Sequence, residues 1–161
     1  MSEAADRLSP DRGQALPVQG RLFGIDYGTK RVGVAVSDVL QKIAGPLHNY
    51  TRVSRRADEC FFYELAQEYE VAGLVVGLPV HMSGDESEKS REARKYAAWL
   101  ARVTRLPVAF QDERYSSSRA EALLIQAHMT SRQRSTRIDK LAAQILLQDF
   151  LDARSAEADV S

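Results

Sequence analysis

The sequence predicts an α/β fold: one five-stranded mixed sheet, a three-strand meander plus two parallel strands, flanked by helices. Three observations predict it. Three short apolar runs follow one another between residues 22 and 51 with only turn-length connections, the pattern of a meander. Two further apolar runs, near 75 and 109, are each reached through a segment of helical period, and right-handed crossovers make such strands parallel to the first. The helical segments suffice to cover both faces of one sheet.

Taken in order, residues 1–20 carry Pro10, Gly13 and Pro17 among charges with no apolar period, which predicts a disordered tail. Leu22–Asp26 and Arg31–Ser37 read as strands around the turn Tyr27-Gly-Thr-Lys30. The second alternates, with Val32, Val34 and Val36 on one face and Gly33 and Ala35 on the other. Ala44–Thr51 is a third strand, with Pro46 marking an edge or its start. Arg55–Tyr69 is a helix whose stripe runs through Phe61, Phe62, Leu65, Ala66 and Tyr69. Ala72–Leu78 reads as a strand buried on both faces.

A polar loop spans 79–87, and a helix continues to about Thr104 with Tyr96, Leu100 and Val103 inward. Pro107–Gln111 is the fifth strand and Ser116–Met129 a helix. Thr130–Arg137 reads as a basic linker, Ile138–Ala153 as the last helix, and 154–161 as a C-terminal tail. The domain is therefore expected over 21–153.

At 161 residues the chain can bury one real core. Apolar (44%) and charged (27%) contents are ordinary for a globular domain, so composition favours neither a disordered nor a fibrous class. Basic and acidic residues balance at 22 each, but without the two tails the body keeps 19 basic and 17 acidic residues. That slight excess is compatible with a nucleic-acid partner. A single cysteine, Cys60, allows no internal disulfide. The polar N-terminus and the lack of an apolar stretch of roughly 18 residues lead to the expectation of a cytoplasmic protein with no membrane partner.

Three carboxylates stand in costly places. Asp26 ends an apolar strand, Glu113 closes the run from Pro107, and Asp139 opens an apolar helix. A buried carboxylate costs several kcal/mol unless paired, hydrogen-bonded or bound to a metal. Each has an ordinary explanation: a turn-starting Asp, a first-turn acid and a helix cap. Together they suggest one shared divalent cation. Three oxygen ligands suit Mg²⁺ or Mn²⁺, and a pair of ions about 4 Å apart is the arrangement that cleaves phosphodiesters. His48, His81 and His128 have no zinc-ligand spacing. Neither a nucleophile elbow nor a Walker loop is present.

Four motifs in order carry a resemblance. Gly24-Ile-Asp-Tyr-Gly-Thr-Lys-Arg-Val-Gly-Val-Ala-Val-Ser-Asp38, Val75-Val-Gly-Leu-Pro79 with Met82 and Gly84, Asp112-Glu-Arg114, and Ile138-Asp-Lys-Leu-Ala-Ala143 closely resemble the YqgF family, also called RuvX. The similarity runs from about Leu22 to Leu151. It implies an RNase H-like fold, a metal-dependent nuclease, and a role in maturing the 5′ end of precursor 16S rRNA, with Holliday junction cleavage as the older reading. By motif match, the family's acidic triad falls on Asp26, Glu113 and Asp139. The loop Val80-His-Met-Ser-Gly84 departs from the family's usual Leu-Asn-Met-Asp-Gly pattern.

Basic residues flank these acids: Lys30 and Arg31 after the first strand, Arg114 beside Glu113, and Arg132, Arg134, Arg137 and Lys140 around Asp139. They are the candidates for holding phosphates, although a charge run is more often a solvated face. The expected partner is nucleic acid, either structured precursor rRNA or branched DNA. Oligomeric state, monomer or homodimer, stays open. The competing classes are a non-catalytic RNA-binding module and a fragment of a sugar-kinase-like ATPase. Chain length opposes the latter, which needs two such domains.

Overall fold

The computed structural model describes residues 13–79, 87–112 and 131–160, with side chains in the last segment described from Lys140 to Asp159. Five strands form one sheet: β1 (Arg21–Asp26), β2 (Arg31–Ser37), β3 (Ala44–Thr51), β4 (Val71–Leu78) and β5 (Val108–Asp112). Their order is β3-β2-β1-β4-β5. β1 pairs antiparallel with β2, as β2 does with β3. β4 is parallel to both β1 and β5. Among the described residues the helices are α1 (Arg55–Glu68), α2 (Glu88–Thr104) and α3 (Ser131–Val160). The expected mixed sheet is therefore present, and the expected helix at 116–129 lies outside the described residues.

Strand alternation divides the core in two. Phe23, Ile25, Val32, Val34, Leu74 and Val76 face α1 and α2, packing with Phe62, Leu65, Tyr96 and Leu100. Leu22, Ala35, Val75 and Ala109 face α3, packing with Ala143, Leu146, Leu147 and Leu151. Each face covers one side of a sheet that is apolar on both sides, so β1 and β4 read as nearly continuous apolar runs.

Local signals fix the ends of the elements. The Ser54 hydroxyl accepts from Ala57 N–H at the start of α1. Ser87 Oγ accepts from Ser90 N–H at the start of α2 and donates to the Pro79 carbonyl. Arg105 ends α2 in the left-handed region. Between β2 and β3, Asp38 Oδ1 accepts from Lys42 and Ile43 N–H. These bonds, Ile43's first, hold its carboxyl below the usual range.

Two stretches differ from expectation. Residues 13–20, expected within a disordered tail, lie against the sheet. Gly13 bridges Ala109, Gln14 N–H donates to Val108 O at 2.7 Å, and Val108 N–H donates to Gln14 Oε1 at 3.1 Å. Leu16 is buried against Gly73. The segment covers the edge of β5, whose open backbone groups gain partners, and a single apolar anchor leaves no period to read.

The second difference is α3, which is continuous where a linker (130–137) and a tail (154–161) were expected. Residues 131–137 contain neither Gly nor Pro and include good helix formers. At the other end, Arg154 donates to Leu16 O, Pro17 O and Gln41 Oε1, tying the helix to the N-terminal segment. Among the described residues no helix is long and apolar enough to cross a membrane.

Candidate functional site

Asp26 is the last residue of β1 and half-buried. It shares the α3-facing side of the strand with Leu22 and Gly24. That face is closely approached: a Cβ on Gly24 would stand 2.7 Å from Leu147 Cβ and 2.9 Å from the Ala143 carbonyl oxygen. Only glycine lets the α3 backbone come so near.

The direction of α3 follows from its polar contacts. Gln148 bonds Lys42 O and Ala44 N–H, and Gln144 donates to Ala44 O. Ala44 pairs with Ser37, at the end of the sheet opposite Asp26. The N-terminal half of α3 therefore runs toward the Asp26 end, with the Asp139 backbone one helical turn before Ala143. The side chains of Arg132, Arg134, Arg137 and Asp139 lie outside the described residues, and Lys140 is half-buried.

β5 ends at Asp112, directly before Glu113. Glu113 and Arg114 lie outside the described residues. β1 and β5 are separated by β4 alone, so their ends are about 10 Å apart across the sheet. All three parallel strands end on this edge, the side where α/β sheets bind ligands. Between them, β4 contributes the buried Gly77, which adds no side chain. Among the described residues no group of three or more His, Cys, Asp or Glu could hold a metal. Of the predicted triad, only the Asp26 side chain is among them.

The turn after Asp26 is rigidly held. A Cβ on Gly28 would meet Arg31 O at 2.3 Å, so the chain doubles back where only glycine fits. Arg52, just past β3, secures it from the other face. Its N–H donates to Lys30 O at 2.9 Å, and Nη1 reaches Gly28 O and Thr29 O, each at 3.3 Å. The guanidinium lies 5.6 Å and 5.1 Å from the ring centroids of Tyr27 and Tyr96. Lys30 and Arg31, on the same turn, are exposed.

Beneath Arg52 sits Asp58, a carboxylate only 4% exposed. It accepts from Tyr50 OH at 2.6 Å and Val53 N–H at 3.0 Å, and lies 4.0 Å from Arg52 Nε. Burial, then the bond to Asp58, pushes the Tyr50 hydroxyl up to about 12. Sequence reasoning missed this cluster. Its signal was available: Asp58, Phe62 and Leu65 share one helical stripe, placing a carboxylate among inward-facing apolar residues.

Comparison with known proteins agrees with this architecture. A family model described as RuvX, Holliday junction resolvase, matches residues 20–153. A protein of Rhodopirellula baltica named "Putative pre-16S rRNA nuclease" is 43% identical over 85% of this chain and 79% of its own. One of Lactococcus lactis subsp. cremoris with the same name is 42% identical over 84% of this chain and 96% of its own. Among solved structures, Thermus thermophilus RuvC in complex with a Holliday junction substrate superposes with a TM-score of 0.51 at 19% identity, covering 84% of this chain and 96% of that one. The fold is thus RNase H-like, and the chain belongs to the RuvX family.

Proposed function

We propose that this protein is a metal-dependent nuclease that hydrolyses phosphodiester bonds in processing the 5′ end of precursor 16S rRNA. The observation that carries the reading is the approach of α3 to β1 at Gly24. It brings the helix containing Asp139 to the strand face and sheet edge that hold Asp26. The names of the relatives support precursor 16S rRNA as the substrate.

The donor set fits a hard divalent cation. Asp26, Glu113 and Asp139 offer only carboxylate oxygens, the ligands that Mg²⁺ and Mn²⁺ prefer. Bound there, the cation would activate water and stabilise the leaving oxygen. The chain's own contributions are positional. Arg52 and Gly28 hold the turn that follows Asp26. Lys30 and Arg31, exposed on that turn, would neutralise backbone phosphates. Arg114, Arg132, Arg134, Arg137 and Lys140 are proposed for the same task.

The second reading is Holliday junction resolution, which the family description names. Both readings meet in one experiment. The full-length protein is given Mg²⁺ or Mn²⁺ with a precursor-rRNA 5′-end transcript or a four-way DNA junction. The proposal expects the transcript to be cut and EDTA to stop it. Symmetric nicking of the junction alone would transfer the assignment to DNA, and cleavage of neither would leave a non-catalytic RNA-binding module.

A further inference from the structure

A second concavity opens on the other face of the turn that follows Asp26. It has a volume of ≈ 480 Å³ and is lined by Thr29, Arg52, Arg55, Asp58, Tyr96 and Trp99, among others. Its chemistry is one-sided. Thr29 and Tyr96 bring hydroxyls, Trp99 an indole N–H, and Arg52 and Arg55 guanidinium groups. The N-terminus of the 14-residue helix α1 enters the same cleft through Arg55. Ser54 Oγ is taken by Ala57 N–H, so the N–H groups of Arg55 and Arg56 remain as donors of the helix start.

The one carboxylate among the described lining residues, Asp58, is already engaged by Tyr50, Val53 and Arg52. Arg55 is 77% exposed and only loosely paired with Glu59 at 3.7 Å, a surface pairing of little energy.

An independent observation points to a ligand. Tyr96 is 7% exposed, yet its hydroxyl has no hydrogen-bond partner. The Trp99 indole nitrogen is buried and unpartnered as well. Leaving such a group unsatisfied costs about 1–3 kcal/mol. Two unpaired N–H and O–H groups beside guanidinium groups and a helix N-terminus match an anionic ligand rich in acceptor oxygens.

We propose that this cleft is a phosphate subsite, formed by Arg52, Arg55, the Tyr96 hydroxyl and the N-terminus of α1. The inference rests on the nuclease reading for its main source of phosphate, a phosphodiester of the substrate strand away from the cut bond. Thr29 is three residues from Asp26, so their Cα atoms are at most about 11 Å apart. One strand can occupy both places. Arg52 then serves twice, holding the Gly28 and Thr29 carbonyls and facing the phosphate.

Trp99 is the chain's only tryptophan, so intrinsic fluorescence reports on this cleft directly. The full-length protein is titrated in EDTA with uncut precursor-rRNA transcript, and separately with inorganic phosphate, over a range of salt concentrations. The subsite predicts a saturable change in Trp99 emission with RNA. Arg55→Gln and Arg52→Gln should each flatten the dependence of log K on log salt by about 0.7. Tyr96→Phe should weaken binding about tenfold without lowering the melting temperature of the free protein.

If inorganic phosphate alone at low millimolar concentration gives the same emission change and competes with RNA, the subsite stands with free phosphate as its source. Unchanged emission with both titrants and wild-type salt slopes in both arginine variants overturn it. A lowered melting temperature in Tyr96→Phe also counts against it, because the hydroxyl would then be structural. Cleavage is scored separately with Asp26→Asn, so the nuclease reading and the subsite can fail independently.

Discussion

Gly24 on β1 and Leu147 on α3 meet with no room for a methyl group: a Cβ on Gly24 would lie 2.7 Å from Leu147 Cβ. The Ala143 carbonyl oxygen, one turn earlier on the same helix and 2.9 Å from that Cβ, is backbone and cannot swing aside. Gly24→Ala should therefore destabilise the fold by about 1–3 kcal/mol, read as a lower urea midpoint with an unchanged m-value. If the approach of α3 also assembles the site, cleavage by this variant should fall further than RNA binding. Equal stability to wild type would mean that the helix is not tightly held there.

The Asp58 carboxylate accepts from both Tyr50 OH and Val53 N–H, and it sits under Arg52. Asp58→Ala leaves these donors in a largely buried place and should cost on the order of 3 kcal/mol. It should also loosen Arg52's hold on the Gly28 and Thr29 carbonyls. Chemical denaturation measures the first effect. Hydrogen exchange at the Lys30 and Arg31 amides, faster in the variant, measures the second.

Stability should fall at high pH. The Tyr50 hydroxyl titrates at about 12 in the folded protein against 10.0 for an ordinary tyrosine. The folded state thus binds this proton more tightly than the unfolded state. The resulting stability is complete below pH 10 and is lost between about 10 and 12. Tyr96 is raised in the same direction, chiefly by burial. Thermal melts should decline across this window, and Tyr50→Phe should decline less steeply. A variant whose decline matches wild type would contradict the assignment.

Much of the fold was legible because period and punctuation agreed. β2 alternates from Val32 to Val36, Pro46 falls on the edge strand β3, and Ser54 and Ser87 cap the helices that follow them. The place of Asp26 at the end of β1 was legible too, while its role as a metal ligand stays a proposal. Other features had no local signal. Residues 13–20 are held by backbone bonds to β5 and one leucine, contacts that no periodicity reveals. The length of α3 depends on tertiary anchors such as Arg154. Asp58 did carry a signal, on the helical stripe of Phe62 and Leu65, but its neighbours Arg52 and Tyr96 come from a loop and another helix distant in sequence, so only the folded chain displays the whole cluster.

Asp26 is the residue on which the account turns. The direct measurement is the rate of metal-dependent cleavage of a precursor-rRNA transcript by Asp26→Asn, a change of one atom in a half-buried side chain. Loss of a supporting contact around a metal ligand typically costs 10–100-fold. Loss of the ligand's charge should therefore cost about 100-fold or more, with the melting temperature little changed. A variant that cuts the transcript as fast as wild type would contradict the site.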